Sequence, residues 1–329
     1  MVSAAGLRLA PARRPRNHGE VTETPAWPGP FGRTSFLQPW WKYVAPGWLN
    51  PDPAHHALGQ AVFGVAAGFG AADYATPDWN HLEAALDTAA NRGLILPRVL
   101  EGTALHAWCT ANDARSVPYD VNPMLDLRPG WQTIADRRSA RTWSSIRRKR
   151  RKLEQEGRLE IVHVRDAAEL RQWLPAAFAL YRARASRVRR GLLWTTAPGQ
   201  RFLRNWMLRL ADEGALDLAV LLVGSHPAAF TFGINDPDTY YLYGLAFDPG
   251  SRLARWSPGE HLLIHLMQQA TEGGRSTFDF LVGDEPYKRA WADHFPHVET
   301  QVVARGAVRV RLLESWPRMR QLIRRGLRG

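Results

Sequence analysis

Hydrophobic and polar positions divide the chain into two unequal α/β stretches. In the first, residues 61–65 read as a strand, Gly64, Gly68 and Gly70 mark a turn, and a second short strand runs toward Tyr74. Leu82, Ala85, Leu86 and Ala89 recur at helical spacing, with Gly93 as a stop. Residues 94–100 and 105–110 read as further strands. From Trp131 to Gly157 the pattern turns helical. Beyond Gly157 it sharpens: an alternating strand at 159–164, then amphipathic helices at 167–184 and 200–211. Apolar strands at 216–223 and 228–234 are joined by Gly224-Ser225-His226-Pro227, a hairpin signal. A strand at 240–247, a helix at 257–270 closed by Gly273 and Gly274, a strand at 277–282 and a short helix at 286–295 follow. Residues 297–304 and 308–313 pair as a last hairpin. The second stretch is ordered β-α-α-β-β-β-α-β-α-β-β.

This reading divides the chain into five parts. Residues 1–28, rich in Pro, Arg, Ala and Gly without a period, read as a mobile tail. Residues 29–128 form a reduced N-terminal α/β domain, 129–157 a basic connector helix, 158–313 the main domain, and 314–329 a basic amphipathic tail helix. A total of 329 residues suits two domains, and 45% hydrophobic content excludes a disordered chain. Cys109 is the only cysteine, which excludes an internal disulfide and any multi-cysteine metal site. No apolar run is long enough to span a bilayer and none follows Arg13, Arg14 and Arg16, so a cytoplasmic protein is expected.

Charge changes the picture more than composition does. The formal net charge is +12, and between Arg137 and Arg158 ten cations face only Glu154 and Glu156. A solvated connector, a patch for RNA phosphates and a surface docking on an anionic acceptor or membrane are the three readings of that segment. The tail helix, with Trp316, Met319, Leu322, Ile323 and Leu327 against five arginines, is compatible with contact at an anionic surface or with packing on its own domain.

Chemistry concentrates in two places. Ser257-Pro258-Gly259-Glu260 has a favoured N-cap, a favoured first helical residue and a glutamate placed to complete a capping box. Gly259 leaves the first-turn amides open, and a helix N-terminus after a strand is a ready anion site. Further on, Phe278 and Phe280 share one strand face, so Asp279 points to the other, with Asp284, Glu285, Tyr287 and Lys288 beyond it. A carboxylate there is either part of a cleft or, with Asp284 and Lys288, part of an ion-pair network locking the turn. His261 and His265 stand four apart, a metal-ligand spacing, but no third ligand accompanies them and no metal is expected.

The element order is that of the GNAT acyltransferases. The run Tyr241-Leu242-Tyr243-Gly244, Phe247-Asp248-Pro249, Ser257 to Leu263, Phe278-Asp279-Phe280-Leu281, Gly283 to Lys288 and Trp291 resembles the CelD-like branch, associated with polysaccharide and secondary-metabolite biosynthesis in bacteria. Weaker likeness extends over roughly residues 30–312, and two GNAT-like halves in one chain are also the architecture of the Fem-type transferases, which use aminoacyl-tRNA. The resemblance implies a tandem GNAT-like fold, a mixed twisted sheet flanked by helices. It implies acetyl-CoA or another acyl-CoA as donor, with the coenzyme pyrophosphate at Arg255, Ser257, Gly259 and Glu260, although Glu260 stands where the family has a small residue. Backbone amides at Gly244, Leu245 and Ala246 would hold the thioester carbonyl between splayed strands. Asp279 or Glu285 would act as base, Tyr287 as acid, and Tyr241, Tyr243, Lys288 and Trp291 would line the acceptor. The acceptor is then an amine of a sugar, polysaccharide or secondary-metabolite intermediate; an aminoacyl-tRNA donor and a catalytically inert binding protein are the alternatives.

Overall fold

Residues 216–223 show how the main sheet is covered. Leu216, Leu218, Val220 and Leu222 enter one apolar cluster, Ala219 and Leu221 another, and every residue of the strand is buried. A strand apolar on both faces belongs inside a sheet sheathed by helices. The computed structural model describes residues 30–31, 33–44, 49–50, 58–61, 66–68, 94–188 and 192–303. Within them, one six-stranded sheet is ordered β1 (Leu49–Asn50), β2 (Leu58–Ala61), β3 (Ala66–Gly68), β4 (Leu94–Leu100), β12 (His297–Val303), β5 (Arg115–Val121). The other is ordered β6 (Met124–Asp126), β11 (Thr277–Asp279), β10 (Thr239–Phe247), β9 (His226–Asn235), β8 (Leu216–Val223), β7 (Leu159–Val164). This is the mixed, helix-flanked sheet of the GNAT fold.

Helices α1 (Thr34–Tyr43), α5 (Ala167–Val188), α6 (Leu192–Thr195) and α7 (Ala197–Asp212) build an aromatic cluster on one face of the second sheet. Phe36 packs edge-on to Trp206 at 4.9 Å, and Arg33, 7% exposed, pairs with buried Asp236 at 2.5 Å. The N-terminal segment is thereby tied to the core of the main sheet. Helices α3 (Trp131–Asp136), α8 (Pro258–Glu272) and α9 (Pro286–Trp291) cover the other face, with α4 (Ala140–Glu156) alongside. Helix α2 (Ala104–Ala111) packs on the first sheet through Leu105 and Cys109.

Four expectations are corrected. Residues 105–110 are helical, because Thr103 caps the segment by accepting from the His106 amide and Leu105 and Cys109, four apart, share the buried face. Residues 115–121 and 124–126 are strands that the pattern did not show; β5 is an edge strand, where Pro118 is tolerated. Residues 297–303, expected in a closing hairpin, instead form β12 between β4 and β5 of the first sheet, while β6, from before the basic helix, joins the second. The two sheets therefore exchange strands across the expected domain boundary. The strand expected at 277–282 ends at Asp279, since Leu281 adopts φ 57°. The tail at 1–28, the strand toward Tyr74, the helix at 81–92, the strand at 308–313 and the tail helix lie outside the described residues.

Candidate functional site

The early end of β11 creates an opening. β10 and β11 pair in parallel through three residues, Thr239, Tyr240 and Tyr241 against Thr277, Phe278 and Asp279, and β10 then runs on to Phe247 paired only with β9. A β-bulge interrupts the register between Leu242 and Gly244. An ideal Cβ on Gly244 would lie 2.8 Å from the Trp194 ring, so only glycine fits there. The Leu245 carbonyl accepts a hydrogen bond from the Arg184 guanidinium of α5. Since the N–H and C=O of one residue in a strand point to the same side, the Leu245 N–H faces the same opening.

The far side of the opening is the turn from β11 into α9. Asp279, 1% exposed, accepts from the Asn122 side chain at 2.9 Å and from the Leu281 amide at 2.7 Å. These bonds fix the turn at Leu281. Glu285 folds back over Gly283, whose φ of 134° and lack of a side chain leave room for the carboxylate. Lys288, 5% exposed, donates to the Leu281 carbonyl at 2.9 Å and the Val282 carbonyl at 3.1 Å, and forms an ion pair with Glu285 Oε2 at 3.0 Å. Burial lowers the Lys288 pKa against the pull of Glu285 and Asp279. Tyr287, half-buried, has its phenol raised well above the ordinary range by burial and by Glu285, while Arg184 acts in the opposite sense. Burial and the Asp279 carboxylate likewise raise Tyr241.

The opening therefore gathers the Leu245 backbone, Arg184, Glu285 and Tyr287, with Asp279 and Lys288 supporting the turn. Chemically it offers an amide N–H for a developing oxyanion, a carboxylate to take a proton and a neutral phenol to give one. Among the described residues no group of three His, Cys, Asp or Glu is arranged to hold a metal ion.

Other expected site residues sit elsewhere. Tyr243 packs against the aromatic core, 4.8 Å from Trp206 and 5.3 Å from Phe232 between ring centroids. Trp291 is buried, stacked on Trp131 at 6.2 Å with Arg138 over its ring at 4.7 Å. Lys288 is buried in the turn, where two backbone carbonyls accept from its ammonium and Glu285 pairs with it. Of the three residues considered for an ion-pair lock, Asp279 acts on Lys288 through its charge, while Asp284 pairs with Arg289. Ala246 is buried in the core, so only its backbone can serve a ligand.

At the start of α8 the capping box is absent. Ser257 has φ 53° and makes no side-chain cap bond; its Oγ and Glu260 Oε2 both accept from Lys149 Nζ at 3.0 Å. Gly259 faces the sheet: a Cβ there would come 3.1 Å from Leu245 and 3.2 Å from Phe247. Its lack of a side chain lets α8 approach β10 closely. Arg255 reaches Glu156 at 3.8 Å and is largely exposed. Lys149 and Arg184 escaped sequence reasoning, since neither stands out in a chain where arginine and lysine number 43.

Residues 138–289 match the family described as Acetyltransferase (GNAT) domain. No curated protein matches the chain. Among solved structures, FemX is 10% identical with a TM-score of 0.57, covering 82% of this chain and 91% of its own. The C-terminal domain of a chain described as a lysylphosphatidylglycerol synthetase from Agrobacterium fabrum is 13% identical with a TM-score of 0.53, covering 81% and 86%. The L-PGS of Bacillus licheniformis is 13% identical with a TM-score of 0.51, covering 80% and 87%. At these identities the likeness concerns the fold. Residues 138–289 are thus similar to the GNAT acetyltransferase domain, on a fold that the chain shares with FemX and with these synthetase structures.

Proposed function

We propose that the protein transfers an acetyl or other acyl group from an acyl-CoA to an amine of a sugar, polysaccharide or secondary-metabolite intermediate. One observation carries this reading: β10 outruns β11 after Tyr241, and the Leu245 amide, Glu285 and Tyr287 converge on the gap. In the reaction the amine nitrogen bonds to the acyl carbon and the carbon–sulfur bond breaks. The ammonium proton passes to Glu285, directly or through water, and Tyr287 protonates the departing thiolate. The Leu245 N–H stabilises the oxyanion between these steps. The donor phosphates lie toward the start of α8, where Lys149 exchanges Glu260 for phosphate and Arg255 stands exposed beside it. The CelD-like sequence run from Tyr241 to Trp291 supports a carbohydrate or secondary-metabolite acceptor and a place in the cytoplasm, where acyl-CoA is made.

A second donor, aminoacyl-tRNA, is favoured by a specific feature of α4. Arg147, Arg148 and Arg151 are exposed on this helix, more cationic surface than a coenzyme needs. Fem-type relatives share the fold. Incubating the protein with labelled acetyl-CoA or labelled aminoacyl-tRNA and a panel of amino sugars separates the two. Label moving from acetyl-CoA, insensitive to RNase, is the expected result. Transfer only from aminoacyl-tRNA, abolished by RNase, contradicts it.

A further inference from the structure

The stretch of β10 that borders the opening has an unusual problem of support. Beyond Tyr241 it has no β11 partner, yet its next residues include a bulge and Gly244, whose backbone is the least restrained of any residue. Polar backbone groups along such an edge need partners, and an unpaired peptide after a glycine is free to turn. Leu245 stands opposite Thr231 of β9, but its carbonyl is taken from the other side, by Arg184. Trp194 packs against Gly244 and stacks on Tyr181 at 4.7 Å, and Arg184 lies over that same tyrosine at 6.0 Å. The guanidinium thus arrives on a rigid aromatic bracket supplied by α5 and α6.

We infer that Arg184 is a positioning residue for acyl transfer: it replaces the ladder partner that β11 no longer provides and keeps the Leu245 N–H aimed into the opening. This rests on the acyltransferase reading above. An oxyanion donor acts only if its direction is set before the reaction, which is why its support matters as much as its presence. The same guanidinium faces Tyr287, where its charge eases loss of the phenol proton. Arg184 therefore joins the two sides of the opening, the amide that holds the oxyanion and the phenol that protonates the leaving group. Arginine is suited to this work because its planar fork of donors holds a fixed direction, which a lysine does not.

The test uses the full chain with Arg184→Ala and Arg184→Lys. We expect Arg184→Ala to lower kcat about 10²-fold while the KM for the donor changes by less than about threefold, the pattern of an interaction made in the transition state. Added guanidinium ion should restore part of the lost kcat, and Arg184→Lys should fall between. Unchanged kcat in both variants overturns the inference, and so does a gain in kcat/KM, which would show the guanidinium to be plugging the slot. A second measurement does not need activity: in ¹⁵N-labelled protein the Gly244 and Leu245 amide resonances should shift or broaden in Arg184→Ala while the melting temperature holds. If those resonances stay in place, Arg184 does not position this peptide. If they move but the wild-type protein transfers no acyl group from any donor, the positioning stands and the acyltransferase reading is what fails.

Discussion

Lys288 and Glu285 look alike in the sequence, two charged residues in one acidic turn, and the structure gives them different work. Lys288 is buried with three acceptors around its ammonium, so it holds the turn, whereas Glu285 is only half-buried and borders the opening. Glu285→Gln should lower turnover about 10²-fold, as loss of a general base does. Lys288→Met should act on stability instead. It leaves two carbonyls without their donor and a carboxylate without its ion-pair partner, a cost of about 3–5 kcal/mol, seen as an earlier melt by calorimetry. If Lys288→Met melts normally and loses only activity, the assignment of the two roles is reversed. The carboxylates and Tyr287 were legible because they stand together along the chain. Lys149 and Arg184 were not, because each meets its partner across a long stretch of sequence: 111 residues from Lys149 to Glu260, and 61 from Arg184 to Leu245.

At the scale of elements, α8 is fixed at both the sheet and the basic helix. Gly259 carries the closest approach, so Gly259→Val forces a side chain against Leu245 and Phe247 and should cost about 1–3 kcal/mol by overpacking. A variant that melts like the wild type would show that α8 has room to give. Further along α8, His265 Nε2 meets His163 Nε2 at 3.0 Å, and His163 is held by Asp217 at 2.8 Å, linking the helix to β7 and β8. Burial and His163 lower the His265 pKa, and Arg150 adds to this while Asp217 and Glu272 oppose it. A histidine with a lowered folded pKa binds its proton more readily when unfolded, so its stabilising contribution is present above about 6.5 and lost as pH falls through the folded value. The melting temperature should therefore drop as the pH is taken below 6.5, and His265→Gln should flatten that drop; an equal slope in the variant contradicts the link. Most elements of the main sheet were legible from period and turn residues, down to the Gly224 hairpin. The strand at 115–121 was not, because its pairing with β12 joins residues nearly two hundred apart and overrides the signal of Pro118. The helix α2 was missed because a short apolar run fits either period until its cap is seen.

The whole molecule sets a basic helix beside the proposed transfer site. Ten of the 43 cations lie between Arg137 and Arg158, in and beside α4, where Lys149 turns inward to Ser257 and Glu260 while Arg147, Arg148 and Arg151 remain exposed. Sequence alone placed that charge between two halves; it did not show that β6 and β12 cross between the sheets and make the halves share structure. Arg147, Arg148, Arg150 and Arg151 changed together to Gln should leave acyl-CoA affinity within a factor of about three, since a coenzyme has few phosphates, and a tRNA donor would instead lose affinity steeply and with a flatter salt dependence. We propose that the opening between β10 and β11 transfers an acyl group from a thioester. Its most direct measurement is thiol release from acetyl-CoA on addition of an amine acceptor, followed in wild type and in Tyr287→Phe. The account predicts release matched one for one by acylated amine in the wild type and slowed about 10²-fold in the variant. Equal rates in the two proteins, or no thiol released with any amine, would contradict it.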